Sequence, residues 1–391
     1  MCVERGQTVD GSTEKIVTCL GSNDIVVSLT SLFGAMRQFR QYPYGKQKHM
    51  SQRFQYTPSF DGLRGIAVLC VLLAHAAPWK YNHMGIIIGI SPGLFKGGWV
   101  GVDLFFVLSG YFITSLLQNE YYTSGNISYA KFYARRALRL LPPLLICLAM
   151  ANVIWPYTPH YYRGANRLLA TSAGLFYFAN LVPWRVLGLL QHLWSLSVEE
   201  HFYLVWPIVV STFLFHTSSR NRVLFLTLTV FLIAAFRIFV FHFWLTYGLF
   251  VIDAYTFTLC RMDAILMGSL LAMVLSHNNN VKKRKNVHIN WSVGILLCLL
   301  ATIVLFVHES NVYWRNGGFI FTNLLCLSIV AIAAKTPNQP LLSSNILRWI
   351  GRRSYGIYLY HLPIFLALGI LTREHSSVNY LLVTARLSGP F

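Results

Sequence analysis

Acidic residues are scarce in this chain. Asp and Glu number 13 against 32 Lys and Arg in 391 residues, and only 12% of the sequence is charged. Soluble globular chains carry about twice that charged fraction. With 55% apolar residues and a mean hydropathy of +0.51, a soluble fold is excluded. The long apolar runs do not alternate with polar residues, which excludes a β-barrel. The seven cysteines (Cys2, Cys19, Cys70, Cys147, Cys260, Cys298 and Cys326) show no Cys-x-x-Cys or other metal spacing. Five of them lie in apolar runs, where cysteine behaves as a small hydrophobe, so neither a structural disulfide nor a metal site is expected. Internal repeats and low-complexity tracts are missing, as is a cleavable signal peptide: the first apolar run begins late and lacks a small-residue cleavage pattern. No segment between the runs is large enough for the basic folded face that nucleic-acid binding requires.

What the chain has instead is a series of apolar runs of 15 to 22 residues, from Leu63 to the C-terminus. They predict an all-α polytopic membrane protein, a bundle of about 10 to 11 transmembrane helices. The candidate spans are about 62–78, 99–118, 139–156, 168–182, 195–215, 223–245, 257–275, 291–308, 318–334 and 355–372, with a short last run from about 378. The net charge of +19 is concentrated between them, at Arg37–Arg53, Lys131–Arg139, Lys282–Lys285 and Lys335–Arg353. Cytoplasmic loops obeying the positive-inside rule and touching anionic lipid explain most of it.

Parity tests this layout. If the basic loops 119–139 and 276–290 face the same side, an even number of crossings separates them, yet five candidates lie between. Either the short run Leu168–Val182 or the polar stretch Gln191–Glu200 is therefore read as a re-entrant half-crossing, which is tolerated only beside a cavity. Residues 1–58 are polar and basic, and read as a disordered cytoplasmic extension. Met50 would itself make a sensible start, and the final run closing at Phe391 reads as cut short.

Ionisable groups inside apolar helices are expensive unless paired or working. Arg64 and His75, eleven residues apart, share one face of the first span at roughly 16 Å along its axis. Asp103 enters the second span in its first turn, where negative charge is favoured; a structural role is expected, holding Arg64 or another cation. Ser109-Gly110 on the same span suits close helix packing. Arg136 and Arg139 share a face just before Pro142-Pro143, where an interface anchor and a phosphate clamp both fit; Arg135 reads as an anchor. In His192-Leu193-Trp194-Ser195-Leu196-Ser197-Val198-Glu199-Glu200-His201-Phe202-Tyr203, Ser195 or Ser197 could cap a helix whose first turn holds Glu199 and Glu200. Capping leaves two carboxylates and two histidines unexplained, and a buried Glu beside a His is the usual way to orient an imidazole. Glu199 and Tyr203 share a face. Arg261 and Asp263 are expected to interact with each other or with interface groups. His361, in an aromatic stripe, reads equally as a core histidine or a substrate contact.

Taken together, Phe60-Asp61-Gly62-Leu63-Arg64-Gly65 with His75, Phe105-Phe106-Val107-Leu108-Ser109-Gly110, Arg136-x-x-Arg139, Trp194-Ser195-Leu196-Ser197-Val198-Glu199, Tyr203-Leu204, Pro207 and Tyr358-Leu359-Tyr360-His361 resemble the integral membrane acyltransferases of family 3. The resemblance covers residues 59 to about 372. It implies a transmembrane acyltransferase domain over 59–391 that moves an acyl group, usually acetyl, from cytoplasmic acetyl-CoA to a hydroxyl of a glycan or lipid-linked saccharide. It also implies an inner-membrane location with the N-terminus cytoplasmic. Typical acceptors in the family are lipopolysaccharide, exopolysaccharide and peptidoglycan sugars. The family's important residues fall on Arg64, His75, Arg136, Arg139 and Glu199. His201 departs from the pattern, standing where the family commonly has Gln.

The expected mechanism has Arg64, Arg136 and Arg139 holding the donor's phosphates. His75, oriented by Glu199, acts as general base or transient acyl carrier. Asp103, Ser195, Glu200, Tyr203 and His361 are expected to support the site or touch substrate. A proton-coupled transporter or flippase is the alternative, since carriers use the same embedded charges; the two similar halves that carriers often show are not visible.

Overall fold

The computed structural model describes residues 3–9, 12–18, 56–76, 95–158, 164–247, 253–277, 287–307 and 317–368. The expected last span from about 378 lies outside them, as does most of the N-terminal extension. Two units are distinguished, residues 1–54 and 55–391. The first was expected to lack order, but strands β1 (Val3–Val9) and β2 (Ser12–Thr18) pair antiparallel within it. The register runs from Val3 opposite Thr18 to Val9 opposite Ser12.

In the second unit all the regular structure described is helical: α1 (Pro58–Ala76), α2 (Val100–Ser124), α3 (Tyr129–Ile154), α4 (Arg167–Leu175), α5 (Leu193–Thr212), α6 (Ser219–Tyr247), α7 (Thr258–His277), α8 (Val287–Phe306), α9 (Phe319–Lys335), α10 (Asn345–Arg352) and α11 (Ser354–Leu368). Among the described residues, six stretches are long and apolar enough to cross a membrane, beginning at Pro58, Lys96, Tyr129, Leu193, Ser219 and Thr258. Parts of α8, α9 and α11 form shorter apolar helices. Large apolar side chains such as Val153 on α3 and Phe231 and Leu232 on α6 are exposed, as lipid-facing positions must be. This is an integral, all-α polytopic membrane protein.

Of the two candidate half-crossings, Leu168–Val182 is the interrupted one. Its helix α4 runs only nine residues, Tyr177 adopts a left-handed φ of 57°, and short 3₁₀ turns follow at Ala179–Leu181 and Gly188–Leu190. Gln191–Glu200 instead runs into α5, which begins at Leu193. Among the described residues, α3, α5, α6 and α7 then remain as long apolar helices after α2, the even number that parity demands.

Close approach of backbones sets the packing. On α2 and α7, a Cβ at Gly110 would overlap the Ile265 carbonyl, and one at Gly268 the Val107 carbonyl; Ser269 also donates to the Gly110 carbonyl. Of the expected Ser109-Gly110 contact face, Gly110 thus lies at the α2–α7 seam. Among the described residues the two larger apolar clusters lie around α1, α2 and α7 and around α3 and α4. Helix α5 belongs to both, giving Val198 and Phe202 to the first and Leu193 and Leu196 to the second. The polar side chains of α5 therefore lie at the seam between two packed bodies.

Candidate active site

Helix α5 starts earlier than a Ser195 or Ser197 cap would allow, and both serines lie inside it. The Ser197 hydroxyl donates to the Leu193 carbonyl and accepts from the Ala179 amide at 3.1 Å, tying α5 to the turn after α4. Ser195 Oγ lies 2.5 Å from the Tyr358 hydroxyl of α11, and that hydroxyl also donates to the His192 carbonyl at 2.9 Å.

Further along α5, Glu199, Glu200 and Tyr203 meet α3. Arg136 reaches Glu200 at 3.4 Å, and its guanidinium carbon sits 3.1 Å from the Tyr203 ring centroid, a cation–π geometry. The Tyr203 hydroxyl donates to Glu199 at 3.2 Å and is in hydrogen-bond contact with Ser109 of α2. Arg64 of α1 lies over the Phe112 ring at 4.5 Å and feels the charges of Arg139, Asp61 and Glu199. Arg64, Arg136, Arg139, Glu199, Glu200 and Tyr203 thus come from three parts of the sequence into one electrostatic cluster. Arg136 is half-buried within it and Arg139 exposed, while Arg135 is an exposed pair with Glu120 at 3.5 Å.

His75, near the other end of α1, belongs to a second group. Its Nδ1 lies 2.9 Å from the Val71 carbonyl. A carbonyl only accepts, so Nδ1 carries the hydrogen and, in the neutral ring, the lone pair sits on Nε2. The same argument fixes His192, whose Nε2 lies 2.9 Å from the Leu359 carbonyl, and His361, whose Nδ1 lies 2.5 Å from the Tyr358 carbonyl. The His361 ring stands edge-on between the other two, at 4.9 Å from His75 and 5.2 Å from His192. His192 and His361 are both 3% exposed. Tyr358 connects the groups: it contacts Ser195 and His192 and feels the charge of Glu199.

Several sequence-predicted residues need placing. Glu199 accepts a hydrogen bond from Tyr203, and the His75 ring bonds the Val71 carbonyl. Arg261 and Asp263 were expected to interact with each other or with interface groups; instead Arg261 bonds Asp103 at 2.6 Å, and Asp263 takes two bonds from Arg237 at 2.8 and 2.9 Å and one from Asn323 at 3.0 Å. Residues two apart on one helix point around its axis rather than at each other. Asp103, in the first turn of α2, does hold a cation as expected, and that cation is Arg261. His201 turns from the cluster to Thr258 at 2.8 Å.

Sequence reasoning missed Arg237 and Tyr358 as site-shaping residues. Arg237 had a usable signal, being a lone charge within an apolar run. Tyr358 stood in the Tyr358-Leu359-Tyr360-His361 motif, but its role depends on where α11 docks.

The geometry gives a candidate site with basic groups at one end of α1 and a tautomer-fixed histidine toward the other. The family model described as acyltransferase domain matches residues 57–386, so the chain belongs to that family of acyl-transferring enzymes. YrhL of Bacillus subtilis is 32% identical over 81% of this chain and 50% of its own length. The O-acetyltransferase OatA of Staphylococcus aureus is 32% identical over 79% of this chain and 51% of its own length. The peptidoglycan O-acetyltransferase OatA of Listeria monocytogenes is 32% identical over 79% and 49%. The chain spans about half the length of these relatives. No solved structure matches it. The alternative of a transporter or flippase gains no support from these comparisons.

Proposed function

We propose that this protein is a membrane O-acetyltransferase that moves an acetyl group from acetyl-CoA to a hydroxyl of a peptidoglycan-type glycan, with His75 as general base. The observation that carries the reading is the Nδ1 contact of His75 with the Val71 carbonyl, which puts the basic lone pair of the neutral ring on Nε2. Names of relatives support acetyl as the group and a cell-wall glycan as the acceptor.

In this reading the donor's phosphates are held by the arginines at the Arg64 end of α1, and the pantetheine arm extends along the helix toward His75, a span of roughly 16 Å. His75 Nε2 takes the proton of the acceptor hydroxyl as its oxygen attacks the thioester carbonyl. The tetrahedral intermediate collapses, the C–S bond breaks, and the proton passes to the departing CoA thiolate. The hydroxyls of Ser195 and Tyr358 are candidates for steadying the oxyanion. Glu199 acts through Tyr203 and Tyr358 as a positioning residue. The N-terminus is assigned to the donor side, which the positive-inside rule makes cytoplasmic.

The test is transfer of label from acetyl-labelled acetyl-CoA to a peptidoglycan fraction by membranes containing the protein, beside a His75→Ala variant. The expected result is transfer by the parent and a loss of at least about 100-fold in the variant. Equal transfer by both would remove His75 from its role. Transfer from a different acetyl donor only would overturn acetyl-CoA.

A further inference from the structure

Lys335–Arg353 reads from sequence as one more basic stretch against anionic lipid, yet the fold carries its helix into the bundle. A Cβ at Gly62 would overlap the Leu342 carbonyl, one at Gly65 the Leu347 carbonyl, and one at Gly351 the Asp61 carbonyl. These three glycines let α10 and the turn before it lie backbone to backbone on the first turns of α1. That contact brings Arg352 to within 3.6 Å of Asp61, which Arg64 also approaches at 4.0 Å. Arg348 joins the group through the Tyr56 hydroxyl at 3.4 Å.

This cluster is loosely paired. Charge-assisted bonds close to about 2.7–2.9 Å, and neither arginine does so on Asp61, whose short bond of 2.6 Å comes from Tyr56. Arg64 also bears the repulsion of Arg139. At this point three arginines, Arg64, Arg348 and Arg352, gather on one carboxylate, Asp61, and its Tyr56 partner, while Glu200 is already engaged by Arg136. The side chain of Arg352 is 56% exposed and that of Arg64 28%, so both are reachable. An excess of guanidinium charge held at fixed positions is the make-up of a multiply charged phosphate site.

We propose that Arg352, backed by Arg348, extends the Arg64–Arg139 cluster into a phosphate-binding site that takes the 3′-phosphorylated ADP head of the acyl donor. This rests on the donor reading above. Arg64 sits on the helix that carries His75, so an anion seated there leads its attached chain toward the base, which a lipid headgroup has no need to do.

The full chain in phosphatidylcholine nanodiscs is titrated with CoA and with adenosine 3′,5′-bisphosphate, alongside Arg352→Gln, Arg352→Lys and, as a control, Arg135→Gln. Unfolding midpoints confirm that each variant is folded. Arg352→Gln is expected to weaken both ligands about tenfold, Arg352→Lys less, and Arg135→Gln not at all. Parent-like affinity in Arg352→Gln would overturn the proposal while leaving the donor reading intact. Arg352-dependent binding of the bisphosphate without binding of CoA would keep the phosphate site and overturn the donor reading. If neither anion binds and Arg352 instead governs retention of phosphatidylglycerol, the site belongs to lipid headgroups and the proposal fails.

Discussion

Two charged clusters inside one bundle are built in opposite ways. In the first, Asp103 with Arg261 and Asp263 with Arg237 close to 2.6 and 2.8 Å, every member is at most 1% exposed, and the charges balance. Arg261 is further covered by the rings of Phe319, Tyr255, Trp194 and Phe106. In the second, at the start of α1 and the neighbouring α3–α5 contact, the ion pairs are 3.4 to 4.0 Å, the side chains are partly exposed, and positive charge is in excess. Short, neutral and dry describes a finished structural lock that joins α2, α6, α7 and α9. Long, charged and wet describes a site with room for an anion. Proximity of Arg to carboxylate alone would not have told them apart; closure and balance do.

The largest expected effect breaks the lock. Removing one partner from a buried pair leaves an uncompensated charge, at a cost of about 3–5 kcal/mol. Asp263→Ala is therefore expected to lower folded yield and the unfolding midpoint in detergent sharply. The double variant Arg237→Met with Asp263→Leu should recover most of that loss, because both desolvated charges leave together. A double variant no better than the single would refute the lock.

The open cluster should respond in the opposite manner. Arg64→Gln is expected to leave the unfolding midpoint within about 1 kcal/mol, and to raise the KM for the donor about tenfold or more. A fall in stability without a change in KM would move Arg64 into the structural class. The smallest effect concerns His201. Its partner is Thr258 rather than any member of either cluster, so His201→Gln should change transfer by no more than about twofold. A larger change would extend the open cluster to the α5–α7 contact.

Much of the bundle was legible in the chain. The helices beginning at Pro58, Tyr129, Ser219 and Thr258 follow from apolar runs long enough to cross a bilayer, and the break after α4 from a run too short to do so. The Asp103 position followed from helix-end electrostatics, but its partner did not. Arg261 is 158 residues away, and nothing local distinguishes it from Arg64 as the cation. The seat of α10 was illegible for the same reason: Gly62, Gly65 and Gly351 show their purpose only once two backbones meet, and Tyr56 meets Arg348 across 292 residues.

The sequence by itself determined the membrane class, the helical architecture, the family, and the shared face of Arg64 and His75. Hydropathy, helical period and motif order are written within a few tens of residues. Only the tertiary structure decided which carboxylate each arginine holds, which carbonyl fixes each histidine tautomer, and that a surface-like basic helix lies beside Asp61. Those outcomes depend on contacts between distant segments, where a shift of one helical turn would exchange every partner.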